Sequence, residues 1–246
     1  MPNSLRMKNV TTNLLISALA SIVQASAATL TAGHVDAIGI GYEGGEIDPH
    51  SHAEAGAIVD GLPLDSGTEY APGELTILVT TNVLRDANSV WQPVGIGAGV
   101  SYWYLPQDAI EADTLGAPFT GIGAEELVPG DWVTPITLTL TSFTSPVGAN
   151  FSLWQVDSFD TPTFFMSTAD GVSSADHYDI TAGDHAHFGW GFTAPGEYDL
   201  TFGFSGEHAI DGVKTATASY RFSVIPEPSA ALMGVFGMLL LARRRR

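Results

Sequence analysis

Five of the seven histidines fall in three short motifs: His34, the pair His50-x-His52 and the pair His185-x-His187. In an extended strand alternate residues leave the same face, so each pair projects two imidazoles about 7 Å apart. Two rings at that separation can close on one ion. Asp36, Asp48, Glu54 and Asp184 stand close by in sequence and could add oxygen ligands. Imidazole with carboxylate suits zinc, manganese or iron better than calcium. A site joining His34, His50 and His52 to His185 and His187 would also tie the two ends of the body together. The architectural alternative is that these rings hydrogen-bond backbone at sheet edges, or stack on Trp190 and Tyr42. The single residues His177 and His208 read as surface or core positions.

Other chemistry finds less support. Acidic groups within 157–160 and 167–184 do not follow the spacing of an EF-hand loop, and Asp-Gly steps are commonly turns. Gly44 followed by His50-x-His52 resembles the start of a cupin motif, but Glu54 comes too soon and no second motif follows. Neither G-x-S-x-G nor H-E-x-x-H occurs, and with no cysteine there is no thiol nucleophile. Paired carboxylates for glycan hydrolysis are defined by a separation in space of about 5–10 Å, which sequence does not reveal. The expectation is a protein that is not an enzyme.

The elements that must position the histidines are strands. A hairpin is expected over 35–42 and 46–53 across Gly44-Gly45, then strands at 74–81, 102–104 and 132–143. A second hairpin pairs 151–156 with 163–167, and further strands follow at 177–180, 186–192, 198–204 and 215–224. Residues 121–130 read as a loop carrying Glu125 and Glu126. No helical period occurs in the body. The expected fold is therefore all-β, a single antiparallel β-sandwich of Ig-like, Greek-key or jelly-roll type. Tyr198 enters a late strand just after Pro195-Gly196, as in a tyrosine corner.

Both ends read as addresses. Residues 1–27 form a signal peptide: Arg6 and Lys8 precede an apolar run, and Ala25-Ser26-Ala27 is an A-x-A cleavage site. The body spans 28–224, and 225–246 form a sorting tail. Without cysteine an exported body has no disulfide framework, so its stability must come from core burial, to which bound ions could add. Arg6, Lys8 and the four terminal arginines account for six of the nine basic residues, and Glu227 for one of the 27 acidic ones. The body thus keeps three basic and 26 acidic residues, a net charge near −23. Such a surface repels nucleic acid and anionic lipid and favours cations.

In the tail, Pro226-Glu227-Pro228 leads into an uncharged stretch over 230–242 and then Arg243, Arg244, Arg245 and Arg246. Thirteen helical residues rise about 20 Å, short of a hydrocarbon core of about 30 Å. The order of the three elements resembles the PEP-CTERM sorting signal of Gram-negative envelope proteins. That resemblance implies an exosortase-like processing enzyme as partner, a membrane held through the short transmembrane helix before processing, and a final place at the outer surface or in the extracellular matrix.

Four blocks of the body resemble a surface-anchored domain, choice-of-anchor M. They are Gly33-His34-Val35-Asp36; Gly41-Tyr42-Glu43 with His50-x-His52; 148–154 with 167–171; and 183–198. Gly189 departs from the last block, where Asn is expected. The resemblance covers nearly all of 30–224. It implies a non-catalytic surface role linked to uptake, with a transporter-associated partner; extracellular polysaccharide is a further expected partner at the surface. An adhesion or matrix scaffold without metal is the competing expectation.

Overall fold

The computed structural model describes residues 27–226. The signal segment up to Ala25 and Ser26 and the tail from Glu227 to Arg246, with its expected helix, lie outside the described residues. Ala27 and Pro226 are the terminal described positions. Among the described residues no helix is long and apolar enough to cross a membrane.

The strands run β1 (Ala28–Glu43), β2 (Glu46–Ala53), β3 (Ile58–Val59), β4 (Leu62–Pro63), β5 (Thr68–Tyr70), β6 (Leu75–Val79), β7 (Asn82–Leu84), β8 (Ser101–Leu105) and β9 (Pro118–Gly123). There follow β10 (Ile136–Thr144), β11 (Phe151–Val156), β12 (Pro162–Ser167), β13 (His177–Ile180), β14 (His185–His187), β15 (Gly189–Phe192), β16 (Gly196–His208) and β17 (Gly212–Val224). The larger sheet orders β13-β10-β16-β17-β6-β1-β2-β5, with β9 pairing β1 and β14 pairing β9. The smaller orders β12-β11-β15-β8-β7. The all-β expectation holds.

Alternation builds the core between the sheets. On β16, Tyr198, Leu200, Phe202 and Phe204 are buried while the residues between them face outward. Phe151, Leu153, Trp190 and Phe192 answer from the smaller sheet. Trp190 meets Phe222 at 5.2 Å between ring centroids, and Phe192 meets Tyr198 at 4.9 Å. Each such side chain, fully buried, contributes about 1.5–3 kcal/mol. The Tyr198 hydroxyl donates to the Ala194 carbonyl at 2.9 Å and accepts from the Ala194 N–H at 3.1 Å. That is the tyrosine corner expected of the Pro-Gly turn.

Three differences matter for the site. The sandwich is not purely antiparallel: β6 lies parallel to both β1 and β17, and β9 lies parallel to β1. β1 is long enough to pair β6 through residues 28–30 and β9 through residues 33–39. The stretch expected as a loop from 121 begins inside β9. The single strand expected over 186–192 is two strands in different sheets, switching at the fully buried Phe188. A short helix, α1 (Ala109–Leu115), also forms, capped by the Asp108 carboxylate, which accepts from the Ile110 and Glu111 N–H groups at 2.9 Å. Seven residues show no readable helical period, but an Asp at the cap position is a start signal.

Candidate metal centre

The site lies on the outer face of one lateral run of the larger sheet, β2-β1-β9-β14. Cross-strand register lines up His52, Asp36, Gly121 and His187 in one row, and His50, Gly39, Gly123 and His185 in the next. His34 opposes Phe119. A bulge in β1 between Asp36 and Gly39 makes this alignment. Ala37 and Ile38 both face the core, so His34 and Asp36 before the bulge share the outer face with Gly39 and Gly41 after it.

The glycines form a floor. An ideal Cβ on Gly121 would stand 2.5 Å from Asp36 Oδ1 and 2.6 Å from His185 Nε2. One on Gly123 would stand 2.5 Å from Asp36 Oδ2 and from Glu125 Oε2. With only hydrogen at these positions, Asp36 and His185 lie flat across β9 and meet above it.

Three imidazoles converge there. One ring nitrogen from each of His34, His185 and His187 lies within 4.8 Å of the others, and Asp36, Glu125 and His185 form an overlapping group by the same measure. The His34 and His185 rings are nearly parallel at 5.2 Å, and His187 stacks on Phe119 at 3.6 Å. Glu125 Oε1 stands 2.6 Å from His185 Nδ1. The trio could hold a metal ion.

The polar atoms at the centre lack ordinary partners. His34 Nε2, His185 Nε2, His187 Nδ1 and Asp36 Oδ1 are buried without a hydrogen bond. His185 Nε2 and Asp36 Oδ1 stand 3.0 Å apart, an ion-pair distance that two ligands of one ion would also keep. Burial holds His34 below its ordinary value and pushes His187 down to about 4. The Asp36 carboxylate beside His185 raises that ring instead, with Glu125 acting in the same direction. Two rings are thus neutral at neutral pH, with lone pairs to offer, and the third is balanced by carboxylates.

The second histidine pair stands apart. His50 and His52 share the sheet face but belong to neither group of converging ligand atoms among the described residues. His50 Nε2 pairs with Glu126 Oε1 at 3.2 Å, and the His52 ring packs over Gly67. Both line a cavity of about 190 Å³ beside the centre, together with Asp36, Glu54, Glu125 and Glu126. Of the four oxygens suggested by sequence proximity, only Asp36 joins the converging set. Glu125 was not among them; its signal was a turn carrying two adjacent acids directly after the Phe-x-Gly-x-Gly alternation of β9. His208 is architectural: it stacks on Tyr42 at 4.7 Å, and Tyr42 donates to Asp211 at 2.6 Å. His177 is exposed. Trp190, one of the stacking partners considered for the histidines, is in the core instead.

Comparison of the chain with family models, with curated proteins and with solved structures finds no match.

Proposed function

We propose that this is an exported, non-catalytic surface protein whose body binds a transition-metal ion through His34, His185 and His187, with Asp36 as oxygen ligand. One observation carries the proposal: one ring nitrogen from each of His34, His185 and His187, on two strands far apart in sequence, lies within 4.8 Å of the others, with Asp36 Oδ1 3.0 Å from His185 Nε2. A buried polar atom left unpaired costs about 1–3 kcal/mol, and an ion accepting the lone pairs of His34 Nε2 and His187 Nδ1, both buried without a hydrogen bond, would relieve that cost. Three imidazoles and a carboxylate suit an ion of the zinc, manganese or iron class. The neighbouring Glu125 would orient His185 through its other nitrogen, as partners of ligating histidines do. Sequence supports the surroundings: the signal-peptide pattern and the PEP-CTERM-like tail argue for export and for an exosortase-type enzyme at the envelope.

Metal analysis of the purified mature protein tests this, beside the double variant His185→Ala, His187→Ala. About one equivalent of transition metal in the native protein and none in the variant is expected. A native protein free of metal, whose melting is unchanged by chelator and by added zinc or manganese, would overturn it and leave the scaffold without metal.

A further inference from the structure

On the opposite side of the sandwich, the outer face of the smaller sheet carries a second apolar cluster separate from the main core. Its rings pack edge to face. Trp91 stands 5.7 Å from Trp154 at 85°, and Tyr102 stands 6.2 Å from Trp154 at 66°. Glycine again makes room: an ideal Cβ on Gly189 would fall 2.3 Å from the Trp154 ring. Beside these rings opens a groove of about 970 Å³, at the upper end of the range for ligand pockets.

Two buried rings line this groove. Tyr102 and Trp154 are 5% and 4% exposed, both line it, and neither the Tyr102 hydroxyl nor the Trp154 indole N–H has a hydrogen-bond partner among the described residues. Around them stand carboxylates held in place by their own chain. Glu111 accepts from the Tyr104 hydroxyl at 2.6 Å through Oε1. Asp108 caps α1 through Oδ1, and Asp157 accepts from the Phe159 and Thr161 N–H groups through Oδ1. In each of the three the second oxygen makes no hydrogen bond within the described residues, and no Lys or Arg lines the groove.

We infer that this groove binds a neutral polysaccharide. Pyranose rings present polarised C–H groups that suit the negative face of an aromatic ring. Their hydroxyls donate to fixed carboxylates and accept from the indole and phenol groups, which are the hydrogen-bond types the groove leaves unused. The acidic lining repels nucleic acid and uronate-rich chains. A peptide is matched less well. The edge strand β7 offers three residues for backbone pairing, and the unpaired groups belong to side chains on the sheet face.

Affinity electrophoresis of the mature protein through gels containing a soluble β-glucan, a galactomannan, a xylan or alginate tests this. Retardation by at least one neutral polymer and none by alginate is expected. Affinity should fall about tenfold or more in Trp91→Ala, and it should weaken in Glu111→Gln, whose amide oxygen can still accept from the Tyr104 hydroxyl, with the folding of both variants checked by thermal melting. Chelator should leave binding intact, so failure of the metal site is read separately. No retardation in any neutral polymer would overturn the inference, as would equal retardation of both variants, or capture of peptides from a random display in place of glycan.

Discussion

The two outer faces of the sandwich use one device to opposite ends. On the larger sheet Gly121 and Gly123 let Asp36 and His185 lie flat, and their polar atoms turn inward to a point. On the smaller sheet Gly189 and Gly191 let the Trp154 ring lie flat beside a groove that it lines. In both places a missing Cβ brings a large side chain down onto the backbone. The difference lies in where the heteroatoms go. Converging, buried and unpaired atoms ask for an ion; separated ones facing solvent can meet a ligand with hydroxyl groups.

The comparison can be broken one face at a time. The largest effect is expected from His185→Ala with His187→Ala. With metal at one hundred times its dissociation constant the native protein gains about 2.7 kcal/mol, and the variant should gain nothing, as thermal melting with and without metal will show. Gly189→Ala comes next. The forced contact with Trp154 should cost about 1–3 kcal/mol and lower the melting temperature while metal content stays native. Gly121→Ala should cost a similar amount, but with loss of metal, because the new methyl displaces Asp36 and His185. If both glycine variants lose metal alike, the two faces are coupled and the comparison fails.

Acid should sharpen the contrast in protein stripped of metal. His34 and His187 sit below their ordinary value of 6.5, His187 at about 4. As pH falls below about 6.5 the unfolded chain takes up these protons first, so stability drops between about pH 6.5 and 4. His185, raised by Asp36, works the other way. Its contribution is complete below 6.5 and fades as pH rises through its folded value. Two rings against one predict lower melting at about pH 5 than at about pH 7; His187→Ala should flatten the dependence. The smallest effect belongs to Tyr198→Phe, which removes the hydroxyl bonded to Ala194 and should cost about 1 kcal/mol in denaturant unfolding.

Much of this was legible in the sequence. Alternation around Phe202 and along 136–140 marks strands because one face of each is buried, whereas residues 132–135, read as part of the second strand, lie outside it. Tyr198 announces its corner because Pro195-Gly196 leaves few other conformations. The histidine motifs point to metal chemistry through the two-residue repeat of a strand. What the spacing does not carry is sheet order. His50-x-His52 and His185-x-His187 look equivalent in sequence, but β9 inserts between β1 and β14, and its glycines open the space above Asp36. His185 and His187 thereby reach His34, while His50 and His52, on the other flank of β1, turn to Glu126 and the adjoining cavity. Pairings between β1 and β9 span some eighty residues, and no local pattern encodes them. The bulge at Ala37-Ile38 is equally hidden, since two small or apolar neighbours within a strand look like ordinary continuation.

The central claim is that three histidines, and not five, hold the ion. Proton NMR of the cobalt-substituted protein tests it most directly, because each ligating imidazole contributes one exchangeable N–H resonance shifted far from the diamagnetic range. Three such resonances are expected, for His34, His185 and His187, and they should survive His50→Ala with His52→Ala. Five resonances, or none, would contradict the account.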